Sequence, residues 1–206
     1  MKLLLCSDLH ADLAAAQGMV ELSQEADVVL IAGDLGNVRN MAQLEKTIGV
    51  LKEISIPTVL VPGNAESDEE LKSVCQGWEP AYVLHGESVE ISGVPFFGLG
   101  GGIPVTPFGS WSFDLTEDQA REAFKSLPKR AILVTHSPPL GVVDHNHEGR
   151  SLGSQAIREA ILEQVPLFAV CGHIHASAGQ EETLGKTPVY NAGPAARLRE
   201  LPLPGE

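Results

Sequence analysis

The stretch Leu3-Leu4-Leu5-Cys6-Ser7-Asp8-Leu9-His10 carries the pattern that decides the architecture: a short apolar run that stops at an acid and an imidazole. The pattern recurs along the chain. Residues 28–32 run into Gly33-Asp34, residues 58–61 into Pro62-Gly63-Asn64, residues 132–135 into His136, and residues 167–171 into Gly172-His173-Ile174-His175. Runs this short, rich in Val, Ile and Leu and without polar alternation, predict strands buried on both faces. Between them the apolar positions follow helical spacing: Leu13, Val20 and Leu22; Met41, Leu44, Ile48 and Leu51; Leu71 and Val74; Ala120 and Phe124; Ile157 and Ile161. Residues 88–91 and 94–99 flank a Ser92-Gly93 turn, and residues 180–184 and 187–191 flank Gly185-Lys186, so both pairs predict hairpins. Alternating strands and helices together with hairpins describe an α/β sandwich.

Every buried run ends in a side chain able to hold a metal. Bound groups collect outside the carboxyl ends of strands in open α/β sheets, so Asp8, His10, Asp34, Asn64, His136, His173 and His175 are expected to converge. A glycine precedes Asp34, Asn64 and His173, where a residue without Cβ allows a sharp turn and a close approach. Oxygen donors beside imidazoles suit divalent transition metals, with manganese foremost and iron, nickel, zinc or cobalt as alternatives, and suit calcium poorly. Seven ligands are too many for one ion. They match two ions about 3.5–4 Å apart if Asp34 bridges them.

At these residues the chain resembles the calcineurin-like metallophosphoesterase superfamily, whose signature runs D-x-H, G-D, G-N-H-D/E, H and G-H-x-H. Four of the five blocks match in full and in order over residues 3–193, and the chain is most similar to small bacterial and archaeal members without an accessory domain. The resemblance implies a four-layer α-β-β-α sandwich of two mixed sheets. It implies one ion on Asp8, His10, Asp34 and His175, and another on Asp34, Asn64, His136 and His173. It also implies phosphoester hydrolysis by a hydroxide held between the ions, with Asn64 and the neighbouring histidines contacting phosphate.

One block departs from the pattern. Gly63-Asn64-Ala65-Glu66 has alanine where the family commonly carries the histidine that faces the leaving group. A positioned proton donor is typically worth about 10²–10⁴ in rate, and it matters most for alkoxide leaving groups. A phosphodiester is therefore expected to be favoured over a monoester. His145 and His147, in the polar segment that also carries Asp144 and Arg150, are candidates for a substitute acid. The Gly98–Gly102 run reads as a flexible loop, since no Lys-Ser/Thr pair follows it. Residues 103–111, with Phe108 and Trp111, are expected to cover the cleft.

Composition narrows the remaining choices. The 206 residues, 43% of them hydrophobic, suit one domain over residues 1–206, with the stretch after residue 193 peripheral and residues 197–206 either a last edge strand or a frayed end. No apolar run approaches the roughly 18 residues of a membrane span. A net charge of −13 opposes a broad grip on nucleic acid, so the expected partner is a small phosphoester. Three cysteines without a CxxC spacing point to the cytoplasm, and Cys6 and Cys171 read as small buried hydrophobes. The chain carries no signature of an oligomeric state. Two rivals share the fold: a nuclease of the same superfamily, and a catalytically weak scaffold for interactions.

Overall fold

Each apolar run that ends in a predicted ligand forms a strand whose residues are all, or nearly all, buried. In the computed structural model, which describes residues 1–202, β1 (Lys2–Cys6), β2 (Val28–Ile31), β3 (Thr58–Leu60) and β4 (Ala81–Val83) lie parallel in the order β1-β2-β3-β4. Leu3 is paired with Val28, Val29 with Thr58 and Val59 with Tyr82. The sheet is closed on its other side by β11 (Arg197–Glu200), which runs antiparallel to β1 with Leu198 opposite Leu4. The peripheral stretch thus contributes an edge strand. Residues 203–206, for which a frayed end is the alternative expectation, lie outside the described residues.

The second sheet has the order β5-β6-β7-β8-β10-β9. Its parallel centre is β6 (Val94–Leu99), β7 (Ile132–Thr135), β8 (Phe168–Cys171) and β10 (Thr187–Asn191). Both expected hairpins form: β5 (Glu87–Ile91) is antiparallel to β6, and β9 (Glu181–Leu184) is antiparallel to β10. Both sheets are therefore mixed.

Alternation along each strand then sorts the core into three layers. Leu3, Leu5, Leu30 and Val59 meet Phe96, Ile132, Val134 and Phe168 between the two sheets. On the outer face of the first sheet, Leu4, Cys6, Val29 and Ile31 pack against α1 (Leu13–Ser23), α2 (Met41–Leu51) and α3 (Asp68–Val74) through Met19, Ile48 and Leu71. On the outer face of the second, Phe97, Leu133 and Ala169 pack against α4 (Glu117–Phe124) and α5 (Gln155–Gln164) through Phe124 and Ile157. The result is the α-β-β-α sandwich. Helix starts follow from local chemistry, as where the Asp12 side chain accepts from the backbone of Ala14 and Ala15, or where Ser67 and Glu70 form a capping box.

The glycine run differs from its sequence reading. Gly98 lies inside β6, Gly101 donates to the Pro62 carbonyl (3.0 Å), and Gly102 donates to the Phe113 carbonyl (2.9 Å). Instead of a free loop it is a buried seam, tight because a Cβ on Gly100 would run into the Pro62 ring.

Candidate metal centre

The two sheets contribute different donors to one place. Asp8, His10, Asp34 and Asn64 follow β1, β2 and β3 of the first sheet, while His136, His173 and His175 follow β7 and β8 of the second. Backbone bonds lock the loops together: Asp8 N–H donates to the Gly33 carbonyl, His10 N–H to the Asp34 carbonyl, and Gly172 N–H to the His136 carbonyl, each at 2.9 Å. Two more bonds cross between the sheets. His136 Nδ1 lies 2.7 Å from the Ala32 carbonyl, and the His173 N–H lies 3.0 Å from the Asp8 carboxylate.

Glycine is needed in these loops for room as much as for rotation. Only Gly33 among the three glycines before the predicted ligands has positive φ, at 89°. A Cβ on Gly63 would fall on the Asp34 carboxylate, and one on Gly172 would sit 2.5 Å from Asp8 Oδ2. Four of the predicted ligands are themselves left-handed: φ is 55° at Asp8, 45° at His10, 55° at Asp34 and 65° at His173. Such conformations cost on the order of 1–3 kcal/mol each in a residue with a Cβ, and they gather at functional sites.

Donor atoms of Asp8, His10 and His175 all lie within 4.8 Å of one another, and so do those of Asp34, His136 and His173. Asp34 reaches both groups, with Oδ2 3.7 Å from His10 Nε2 and Oδ1 3.5 Å from His136 Nε2. Asn64 Oδ1 stands 3.2 Å from His136 Nε2, so all seven predicted residues are brought together. His136 Nδ1 donates to the Ala32 carbonyl, which leaves Nε2 as the lone pair aimed at the centre. His10 Nε2 stands 3.2 Å from His175 Nε2, close enough for both imidazole nitrogens, once unprotonated, to reach one cation. Convergent lone pairs, buried carboxylates and left-handed backbone fit divalent cations at both clusters.

The electrostatics express the same crowding. Burial would raise the Asp8 carboxyl, but the hydrogen bond with His175, the His136 charge and the Ser7 hydroxyl outweigh it and hold it at about 2. Hydrogen bonding to Asp8 raises His175, while burial and the neighbouring His136 push His173 down to about 4. Burial opposes charge on His136, yet Asp34 and Asp8 lift it above its usual value.

Several supporting residues lie outside the seven predicted ligands. Glu66 is buried and accepts from the backbone of Leu35, Gly36 and Gly63, tying together the loops that carry Asp34 and Asn64. Ser112 accepts from Asn64 Nδ2 at 3.2 Å and donates to Asp114 at 2.8 Å. The Asn191 amide donates to the carbonyls of Val143, Gly172 and Ile174, bracing the loop that holds His173. Each works through a bond between residues far apart in the chain, and only Glu66 sits inside a recognisable block.

The remaining candidates separate. Phe108 and Trp111 stack with ring centroids 5.4 Å apart and line a cavity of about 300 Å³ together with His10, Asp34, Asn64 and Ala65, so the 103–111 segment does flank the centre. His147 lines an adjoining cleft with His173 and His175. His145 lines neither cavity; its ring stands 3.5 Å from Asp144, and its backbone is tied to Ser177. Asp144 is fully buried and accepts from Gly141, Gly153 and Ser151, so it shapes its own loop.

Comparison with known proteins agrees with this geometry. Residues 1–203 match the family model described as the calcineurin-like phosphoesterase superfamily domain. A probable rhamnogalacturonate lyase C of Emericella nidulans is 30% identical over 181 residues, covering 76% of this chain and 16% of that protein. A probable glycerophosphodiester phosphodiesterase of Arcobacter nitrofigilis is 23% identical over 160 residues, covering 75% of this chain and 58% of that protein. The chain thus spans less than two thirds of the length of these curated relatives. Among solved structures, TT1561 of Thermus thermophilus superposes with a TM-score of 0.76 at 21% identity, covering 94% of this chain and 90% of that one, a likeness of fold.

Proposed function

The chain belongs to the calcineurin-like phosphoesterase superfamily, and from that premise we propose that it hydrolyses phosphodiesters at a two-metal centre held by Asp8, His10, Asp34, Asn64, His136, His173 and His175. The observation that carries this reading is the position of Asp34, whose two oxygens face the two donor clusters. Divalent cations bound there would acidify water and offset the negative charge that builds on phosphoryl oxygens during in-line attack. Mixed oxygen and imidazole donors suit manganese, iron, nickel, zinc and cobalt alike, and we take manganese as the first to test.

The chain's own residues do the positioning. Asp34 ties the clusters together, the Ala32 carbonyl keeps the His136 lone pair pointed inward, and Ser112 holds the Asn64 amide so that Oδ1 faces His136. Ala65 presents only a methyl group to the cavity over the centre, so no proton donor stands at that position for a poor leaving group. This supports preference for diesters, and His147, on the rim of the adjoining cleft, is the side chain available to donate a proton there. The named phosphodiesterase relative points the same way. We also read residues 1–206 as one catalytic domain acting on a small substrate in the cytoplasm, in keeping with a charge of −13 and three buried free cysteines.

The test is to strip the protein with chelator, restore manganese, nickel, iron, zinc or magnesium singly, and compare bis(4-nitrophenyl) phosphate with 4-nitrophenyl phosphate. Metal-dependent cleavage favouring the diester is expected. Equal rates on both would overturn the diester preference. Two bound ions without turnover would favour the scaffold reading.

A further inference from the structure

We propose that the cleft beside His173 and His175 binds an apolar arm of the substrate, making the preferred ester one with an alkyl or aryl group on one side of phosphorus. The inference rests on the phosphodiesterase reading for its anchor, because His173 and His175 line both this cleft and the cavity over the metal centre. A phosphate held at the centre therefore has one substituent directed along a continuous surface into the cleft.

The chemistry of the walls selects that substituent. Val105, Phe108 and Leu152 line the cleft at 57%, 48% and 45% exposure, and they are three of the eight large hydrophobic side chains exposed among the described residues. Apolar surface gathered in this way marks a binding site, since water solvates it poorly. None of the lining residues is Lys, Arg, Asp or Glu. Two of the polar groups present are already engaged, since the Thr106 hydroxyl lies against Asp114 and Asn146 Oδ1 accepts from the backbone of Glu148 and Arg150. Beyond the metal-side histidines this leaves the Asn146 amide N–H and the His147 ring as the polar contacts on offer. A charged or polyhydroxylated arm would lose its water there and gain few partners in return. The volume, about 570 Å³, lies in the range of small-molecule sites and exceeds what a methyl ester would fill.

Calorimetry on the manganese-loaded protein with methyl-, butyl- and octylphosphonate tests the cleft, with hydrolysis of bis(4-nitrophenyl) phosphate measured in parallel. Each methylene removed from water strengthens binding by about fourfold when fully buried, so butylphosphonate should bind at least about tenfold tighter than methylphosphonate. Leu152→Asp and Val105→Asp, both at exposed positions whose change leaves the core intact, should each reduce that ratio toward one. Equal binding of the three phosphonates, or a ratio unchanged in both variants, overturns the inference even if the diester is hydrolysed. A clear chain-length dependence without hydrolysis supports the cleft and overturns the catalytic reading instead.

Discussion

The cluster of Asp34, His136 and His173 and the cluster of Asp8, His10 and His175 stand side by side but at different depths. The His136 side chain is wholly buried, whereas that of His175 is 59% exposed. The inner cluster is walled by Glu66, Asn64 and the Ala32 carbonyl, and its orientation is set by bonds that exist only in the folded chain. Both clusters reach the cavities, the inner through His173 and the outer through His175, and it is the outer one whose histidine stands out into them. The difference teaches that the two positions should not be equivalent: the inner one is part of the core, and the outer one is an addition to its surface.

Replacing the shared group is the strongest way to break that comparison. Asp34→Asn should lower turnover on the order of 10³-fold, more than the roughly 10–100-fold that follows loss of a partner behind a ligand, and metal analysis should show fewer than two ions bound. His136→Ala against His175→Ala sharpens it. The inner change removes a buried ring and leaves the Ala32 carbonyl unpaired, so it should cost about 2–4 kcal/mol in denaturant unfolding of the metal-free protein. The outer change removes a half-exposed ring and one bond to Asp8, so it should lower metal content and cost less in that unfolding than the inner change does.

The inner wall also predicts a pH dependence. Burial and the Asp34 charge raise the Glu66 carboxyl from 4.5 to about 7, against the opposing hydrogen bond from Gly63 and the His136 charge. Because the folded value lies above the unfolded one, the folded state binds more protons between about pH 4.5 and 7. Glu66 therefore makes stability fall as pH rises through that window, by roughly 3 kcal/mol at most. Glu66→Gln should flatten this limb in metal-free protein, and denaturant midpoints measured across the window would show it. The smallest effect belongs to Ser112→Ala, which should weaken the inner ion by about tenfold in competition with a chelating dye, while Ser112→Thr restores it.

Much of this arrangement is legible in the order of the residues alone. Strands buried on both faces leave unbroken apolar runs, so Leu3 to Cys6 or Val28 to Ile31 stand out, and the acids and imidazoles that end them are visible as interruptions. β4 is missed because Ala81 and Val83 are only partly buried, Tyr82 is exposed, and three residues are too few to set a period. Ser112, Asp114 and Asn191 are missed for another reason: a polar residue in a loop looks the same whether it faces water or holds a distant carbonyl, and only the fold decides. The glycines before Asn64 and His173 are visible, but their purpose is not, since crowding by Asp34 and Asp8 requires both sheets to be in place.

The left-handed backbone at Asp8, His10, Asp34 and His173 bears on any attempt to transplant this centre. A graft that copies only the seven side chains onto ordinary strand ends would aim several of them the wrong way, because their directions come from the turn beneath. The portable unit is the side chain together with its twisted loop, and a recipient scaffold would have to provide the turns before it could accept the chemistry.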